Sequence, residues 1–539
     1  MDITASDIEK VLARITDEGL RQGIGAIIDA LLEQNKLLQD RVALLERQLF
    51  GSKSEKKKLT KDQSNTGTDL AALFDASECD EITTVQTTET ITYTRNKPSR
   101  NRRGRFDTST LPQRTDIHDL PDAEKFCNQC NGELEHIGDD ESQQVESIPA
   151  QHILVKHVCP KYACRCCNII VSEKKEPSAI PKAMVGNSVI AQVVVDKYVN
   201  HLPIYRQAQI YTRQGFAIDD ITIGRWIMKL GSILQPLHKA LWKLLLENTY
   251  LQVDETPTLC LESKKKCYMW VYTAFQDRRP NLVIFDFQMT RGQIAVNTKL
   301  HGFKGVVQTD GYGGYNTIRK RPDIVGIGCG AHIRRKFDAV NHLAEDKSPA
   351  ANKVIDYFKK LYDIEDIIRQ KVLQPEQCKK LRQEQAKPIL NELHSYLTEL
   401  LPQVPPKSPL GKAIIYALDE WPYWVQYIEH GDAFIDTNWV ENQIRPFGIG
   451  RRNWLFIGNQ SGGETSALLY SLTQSAKLNN LDPWHYIFYI LNHVHDLRKG
   501  NIKAENLLPH NVNPDDVANL ATQHIEKFTK LLHGLNNSS

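Results

Sequence analysis

The spacing of hydrophobic positions changes several times along this chain, and each change marks a different kind of element. Ile28, Leu31, Asn35, Leu38, Val42, Leu45 and Leu49 follow a 3-4-3-4-3-4 spacing. With Ile28, Asn35, Val42 and Leu49 at a and the leucines at d, this is a leucine-zipper pattern, in which a single Asn at an a position selects a parallel dimer and fixes its register. The next stretch, GSKSEKKKLTKDQSNTG, is polar and offers the stripe no core of its own, so the spacing predicts a coiled-coil homodimer. Between residues 51 and 124 large apolar residues are sparse, which predicts an extended linker.

Helical periodicity returns after Pro181, where GNSVIAQVVVDKYVNHLPIYRQAQIYTRQGFAIDDITIGRWIMKLGSILQPL parses as three helices. Pro203 suits a helix start, Gly215 a turn, and Asp219 or Asp220 a cap. Helix, turn and helix is the arrangement that lays a second helix into a DNA groove, with Thr222, Arg225 and Lys229 on or near its exposed side. At Tyr250 the period drops towards two. TYLQVDET, CYMWVYTAF and NLVIFDFQ read as a three-stranded meander, followed by a helix over about 293–300, then GVVQTDGYGGYN and IVGIGCGAHIRRKF. The order strand, strand, strand, helix, strand, helix, strand, helix suits an α/β domain with Asp254 on the first strand and Asp310 at the end of the fourth. Gly311, Gly313 and Gly314 are read as permitting a tight turn there. Residues 339–430 read as helices interrupted by LPQVPPKSP.

At 539 residues the chain requires several folding units. It has no apolar run of the roughly 18 to 20 residues needed to span a bilayer, which excludes a membrane role. The start has no basic segment followed by an apolar one, so a cytoplasmic, reducing compartment is expected, and the 11 cysteines are not read as disulfides. A net charge of +2 argues against a nucleic-acid partner only at the scale of the whole chain. Arg95, Lys97, Arg100, Arg102, Arg103 and Arg105 fall within eleven residues without a carboxylate. Such an arm fits a phosphate backbone.

Two clusters carry candidate metal chemistry. Cys127 and Cys130 form one C-x-x-C and Cys164 and Cys167 another, four thiolates able to close a structural, tetrahedral Zn²⁺ site, with Cys159 and Cys166 as spare thiols. The other cluster is acidic. Asn438, Glu441 and Arg445 share one helical face, Pro446 is expected to end or kink that helix, and Arg451 and Arg452 are expected on the loop after it, so that Glu441 reads as a metal ligand framed by four phosphate- or DNA-binding residues, Asn438, Arg445, Arg451 and Arg452. If Asp254, Asp310 and Glu441 converge, each pair of charges about 4 Å apart repels by roughly 4 kcal/mol at an effective dielectric near 20, so cations are needed. Mg²⁺ (or Mn²⁺) is the natural remedy, and two such ions serve both the attacking and the leaving oxygen of a phosphodiester displacement. Glu255 rivals Asp254, but neighbours on a strand face opposite sides, and Asp436 rivals Glu441. His332, Arg334, Arg335 and Lys336 read as DNA-contacting or positioning groups.

VDETP at Asp254, QTDGYGGYN at Asp310, GCGAHIRRKF, and NWVENQIRPFGIGRRNWLFIGNQSGGETSALLYSL at Glu441 resemble the DDE transposases of the insertion-sequence-66 type. LERQLFGSKSEK, RRGRF, the paired C-x-x-C motifs and LPIYRQ extend the resemblance over nearly the whole chain. It implies a multidomain α/β protein with all-α parts. Its expected divisions are an N-terminal coiled coil (1–50), a basic linker (51–124), a zinc-finger module (125–180) and a helix-turn-helix region (181–245). A ribonuclease H-like mixed-sheet catalytic core (246–338 and 433–482) is interrupted by a helical insertion (339–432), and a helical tail (483–539) follows.

The resemblance further implies that Asp254, Asp310 and Glu441 are the catalytic metal ligands and that DNA, as transposon ends and target, is the partner. Nicking by a metal-activated water would expose a 3′-hydroxyl, which would attack target DNA, and small accessory proteins of the same element are implied partners. A DNA-binding regulator without catalysis and a structure-specific nuclease are the alternatives. One departure is Gly330, where the family pattern often has Trp before Ala-His.

Overall fold

The computed structural model describes residues 150–163, 170–172, 178–343 and 348–536. The heptad stripe from Ile28 to Leu49, the arm with Arg102, Arg103 and Arg105, and Cys127, Cys130, Cys164 and Cys167 lie outside the described residues. Strands β1 (Lys161–Ala163) and β2 (Ile170–Ser172) pair antiparallel. The three expected helices follow as α1 (Asn187–Tyr198), α2 (Ile204–Arg213) and α3 (Asp220–Ile233). Pro203 begins α2, and Gly215 turns the chain with φ +82°, a conformation that suits a residue without a Cβ. The Asp219 carboxylate caps α3 by accepting from Thr222 N at 2.6 Å and Thr222 Oγ1 at 3.1 Å. A fourth helix, α4 (Gln235–Leu246), carries Pro236 in its first turn, where the missing N–H costs nothing.

The sheet contains β3 (Tyr250–Cys260), β4 (Lys265–Gln276) and β5 (Arg279–Gln288), then α5 (Gln293–Lys299), β6 (Gly305–Gln308), α6 (Asn316–Arg319), β7 (Ile324–Ile327) and α7 (Gly330–Leu343). This is the element order read from the sequence. In space the order is β5-β4-β3-β6-β7, antiparallel among the first three and parallel from β3 through β6 to β7. The sheet is therefore mixed, with Asp254 on its central strand and Asp310 just past the adjacent one.

The described part of the expected insertion contains helices joined by short turns and no strand: α8 (Pro349–Gln370), α9 (Pro375–Leu381), α10 (Lys387–Leu400) and α11 (Pro409–Trp424). Then comes α12 (Asn438–Trp454), which runs through Pro446 and includes Arg451 and Arg452 in its last turn. The expected break at Pro446 and the loop placement of the two arginines are therefore corrected. A proline inside a helix costs about 3 kcal/mol, and packing holds this one on both sides. Val440, Phe447 and Gly450 are buried, and the Arg451 guanidinium donates to Thr256 Oγ1 at 3.2 Å and to the Pro257 carbonyl.

After β8 (Phe456–Ile457), which pairs with the far end of β3, come α13 (Gln460–Leu478), α14 (Pro483–Lys499) and α15 (Pro514–Asn536). Helix α13 covers the edge strand β5 and uses hydroxyls where a further strand would otherwise pair. Phe285 N donates to Ser471 Oγ at 2.8 Å and Val283 N to Ser475 Oγ at 3.1 Å.

One buried cluster joins Ile190, Leu230 and Leu241 of α1, α3 and α4 to Val271 and Ile284 of the sheet and Leu468 and Ile487 of α13 and α14. The 181–245 helices and the tail thus share the core of the sheet. A second cluster packs Ile327, Ile333 and Phe337 against Phe358, Leu393 and Trp424 of the insertion. No helix among the described residues is long and apolar enough to cross a membrane.

Candidate active site

Three acids from three elements lie close enough to act on one another's charge. Asp254 is part-buried on β3, and its Oδ1 accepts from Glu255 N at 2.8 Å. Asp310 lies two residues beyond β6, its Oδ1 accepting from Tyr312 N at 3.1 Å. Glu441 sits in the first turn of α12. Burial, and then the charges of Glu255, Asp310 and Glu441, push the Asp254 carboxyl well above its ordinary range, with His332 opposing them. Charges act at this strength only at short range, so the three acids and His332 form one electrostatic unit.

The two rival acids are already engaged. Glu255 Oε1 accepts from Arg291 Nε at 2.6 Å and Oε2 from the Tyr315 hydroxyl, while Arg291 stacks 3.7 Å from the Tyr312 ring centroid. Asp436 accepts from the Tyr362 hydroxyl at 2.8 Å, Asn438 N at 3.1 Å and Asn438 Nδ2 at 2.8 Å, which fixes the start of α12. Asp254 and Glu441 are the less encumbered members of each pair.

Glu441 Oε2 accepts from Arg335 Nη2 at 3.3 Å. Its Oε1 lies 3.8 Å from His332 Nδ1, and both of these buried atoms lack a hydrogen-bond partner. The Cys329 sulfur accepts from Thr437 N at 3.3 Å and Thr437 Oγ1 at 3.1 Å, and burial pushes its thiol up to about 12. An orphaned carboxylate oxygen and imidazole nitrogen, facing each other beside two further carboxylates, fit a divalent cation.

A pH-dependent consequence follows from the raised Asp254 carboxyl. The stability this group contributes is complete below the ordinary carboxylate range near 4 and is lost as pH rises through the elevated folded value. At neutral pH Mg²⁺ is therefore expected to raise the thermal midpoint. In Asp254→Asn that increment should shrink, and the metal-free midpoint should rise; differential scanning calorimetry with and without chelator measures both.

The registration of the three acids rests on two glutamines that the sequence reading missed. Fully buried Gln252 donates from Nε2 to Gln308 Oε1 at 3.1 Å and to the Asp436 carbonyl at 3.0 Å, and its Oε1 accepts from Val440 N at 3.1 Å. Gln308, also fully buried, donates to the Gly328 carbonyl at 3.0 Å and the Phe434 carbonyl at 2.8 Å. Each glutamine lies two residues before an aspartate, Gln252 on the same strand face as Asp254 and Gln308 at the end of the strand that leads to Asp310, and each ties its strand to the segment leading into Glu441. The signal was present as Q-x-D twice, in QVDET and QTDGY. Gln252→Met would strand Val440 N and is expected to lower unfolding free energy by roughly 1–3 kcal/mol per unsatisfied group, measured by urea denaturation.

The insertion also touches the site. Arg319 donates from Nε to Thr309 Oγ1 at 2.9 Å and from Nη2 to the Thr309 carbonyl at 3.1 Å and the Asp310 carbonyl. Its Nη1 pairs with both oxygens of Glu420 on α11, at 3.1 and 2.9 Å. A Cβ at Gly311 would lie 2.6 Å from the Tyr416 hydroxyl and 2.9 Å from Glu420. The chain turns after Asp310 as expected, with a 3-10 turn at Gly313–Tyr315 but without positive φ at Gly311, Gly313 or Gly314; at Gly311, close approach by Tyr416 and Glu420 leaves no room for a side chain. At Gly330 a Cβ would lie 2.6 Å from Trp424 Nε1.

The other expected DNA-contacting groups are dispersed. Arg225 and Lys229 are exposed on α3 beside exposed Ile221 and Met228, whereas Thr222 is engaged with Asp219. Arg334 pairs with Asp338 at 3.7 Å, and Lys336 lies 5.3 Å from the Tyr416 ring centroid. Arg445 and Arg452 are exposed. Arg451 braces α12 to β3 as described above.

Residues 182–465 carry the signature described as transposase IS66 family, and residues 124–168 that of the zinc-finger binding domain of transposase IS66. A third match, described as transposase C of IS166 homeodomain, covers residues 37–115 and so takes in the last heptads and most of the linker. The chain is 31% identical over 500 residues to the uncharacterized protein y4jD of Sinorhizobium fredii, spanning 90% of this chain and 96% of that one. It is also 31% identical over 396 residues to y4qI of the same organism, spanning 71% and 72% of the two chains.

Proposed function

The chain belongs to the transposase IS66 family, and from that membership together with the three acids we propose that it cuts and joins DNA at the ends of an insertion sequence. In this reading Asp254, Asp310 and Glu441 are the DDE ligands of Mg²⁺ (or Mn²⁺) on a ribonuclease H-like core, a reading that the strand order β5-β4-β3-β6-β7 supports. The observation that carries it is the convergence of Asp310 and Glu441 on Asp254, whose charge is disfavoured first by burial and then by the neighbouring acids. That arrangement has no stabilising role in a pure DNA-binding regulator.

Cations held there would lower the barrier to attack on a phosphodiester and offset charge on the leaving oxygen. The chain's own residues do the rest. Arg335 offsets part of the Glu441 charge, the paired glutamines fix the spacing of the acids, and Arg291 with Tyr315 holds Glu255 away from ligand duty.

The remaining parts serve DNA and assembly. Exposed Arg225 and Lys229 on α3, with Arg102, Arg103 and Arg105 of the arm, contact the terminal repeats, while His332, Arg334, Asn438, Arg445 and Arg452 face DNA near the three acids. Cys127, Cys130, Cys164 and Cys167 hold structural Zn²⁺, and the heptads from Ile28 to Leu49 form a homodimer. The protein acts in the cytoplasm, on chromosomal DNA, with accessory proteins of the element as further partners.

The test is strand cleavage and joining on DNA carrying the element's ends. Products are expected with Mg²⁺ and none with chelator. Tight, specific binding without cleavage under any divalent ion would instead make the chain a regulator, and cleavage of branched DNA without end preference would make it a nuclease.

A further inference from the structure

Cys329 and His332 stand three residues apart across the start of α7, so both side chains fall on one side of its first turn. The Cys329 sulfur, one His332 ring nitrogen and one Glu441 oxygen lie within 4.8 Å of one another. At 3.8 Å, His332 Nδ1 and Glu441 Oε1 are too far apart for a hydrogen bond. Yet two ligands of one ion, each about 2.0–2.2 Å from it, can stand that far apart. Both atoms are buried and lack any other hydrogen-bond partner. Thr437 donates two hydrogen bonds to the Cys329 sulfur, which would support a metal-bound thiolate where burial alone keeps the thiol protonated.

From this geometry we propose that Cys329, His332 and Glu441 form a nitrogen, sulfur and oxygen site for a borderline divalent cation of the Zn²⁺ or Co²⁺ class. It rests on the reading of the three acids as a divalent-cation site and makes that centre asymmetric. Asp254 and Asp310 offer only oxygen, which suits Mg²⁺, whereas thiolate and imidazole favour later transition metals. Closing the three ligands on one ion requires side-chain shifts of about 1 Å. An ion bound in this way competes with Mg²⁺ for Glu441.

The test uses the full-length, zinc-loaded protein titrated with Co²⁺, whose thiolate complexes show a charge-transfer absorption in the near ultraviolet. The wild type is expected to show this band, Cys329→Ala to lose it, and His332→Gln to bind Co²⁺ more weakly by roughly tenfold or more. Cobalt exchanged into the upstream cysteines would give the same band in all three proteins, so the difference spectra report only this site. His332 is part-exposed, and its variant keeps the test readable if removal of the buried sulfur disturbs folding. A wild-type minus Cys329→Ala difference without a thiolate band, or unchanged Co²⁺ affinity in His332→Gln, would overturn the proposal. Failure of the parent reading appears separately, as an Asp310→Asn protein that still cleaves DNA whatever its cobalt spectrum.

Discussion

An Asp310→Asn protein is expected to fold and bind end DNA normally but to cleave and join it at least about a thousandfold more slowly. The amide is isosteric and its oxygen can still accept from Tyr312 N, the contact that holds the Asp310 side chain. What disappears is one negative charge, which in the proposed reading is a metal ligand. A catalytic cation supplies several kcal/mol of transition-state stabilisation, and loss of about 4 kcal/mol of it lowers the rate roughly a thousandfold. Stability should move the other way or not at all, because one of the charges acting against Asp254 is gone. Gel assays of cleavage and joining with Mg²⁺, beside a thermal scan of the metal-free protein, check both halves. Equal turnover of variant and wild type would remove Asp310 from the reaction.

Much of the frame was legible because it is written in local pattern. The alternation in TYLQVDET, CYMWVYTAF and NLVIFDFQ gave the meander, and Asp219 was a visible cap before Thr222. The three acids could be chosen because each occupies a strand, a strand end or a helix start, where a side chain is held but not enclosed. Resemblance then ranked them above their neighbours.

What stayed hidden depends on residues far apart in sequence. Pro446 reads locally as a helix end, yet Phe447, Gly450 and Arg451 are anchored to other elements and carry the helix through. Gly311 reads as a turn residue, yet its lack of a side chain answers to Tyr416 and Glu420 more than a hundred positions later. Gln252 and Gln308 look like ordinary polar strand residues until the segment before Glu441 is laid across them. Burial distinguishes a structural polar group from a solvated one, and local periodicity does not report it.

Glu420→Ala is expected to destabilise the fold by about 3–5 kcal/mol, the usual cost of removing one partner from a buried ion pair. The Arg319 side chain is fully buried, and Glu420 is its only carboxylate partner among the described residues. Without Glu420 the guanidinium keeps its bonds to Thr309 and Asp310 but loses the charge that offsets it. A second effect reaches the site, because Arg319 grips the carbonyl of Asp310 from one side while Glu420 holds Arg319 from the other. The double variant Arg319→Met/Glu420→Leu separates the two. Replacing both charges by apolar groups of similar volume is often neutral or stabilising, so urea unfolding should return to within about 1–2 kcal/mol of wild type. Cleavage should stay depressed, and its Mg²⁺ requirement should rise, since the strand end carrying Asp310 is no longer clamped. If the double variant recovered both stability and turnover, the pair would be a packing element with no part in positioning Asp310.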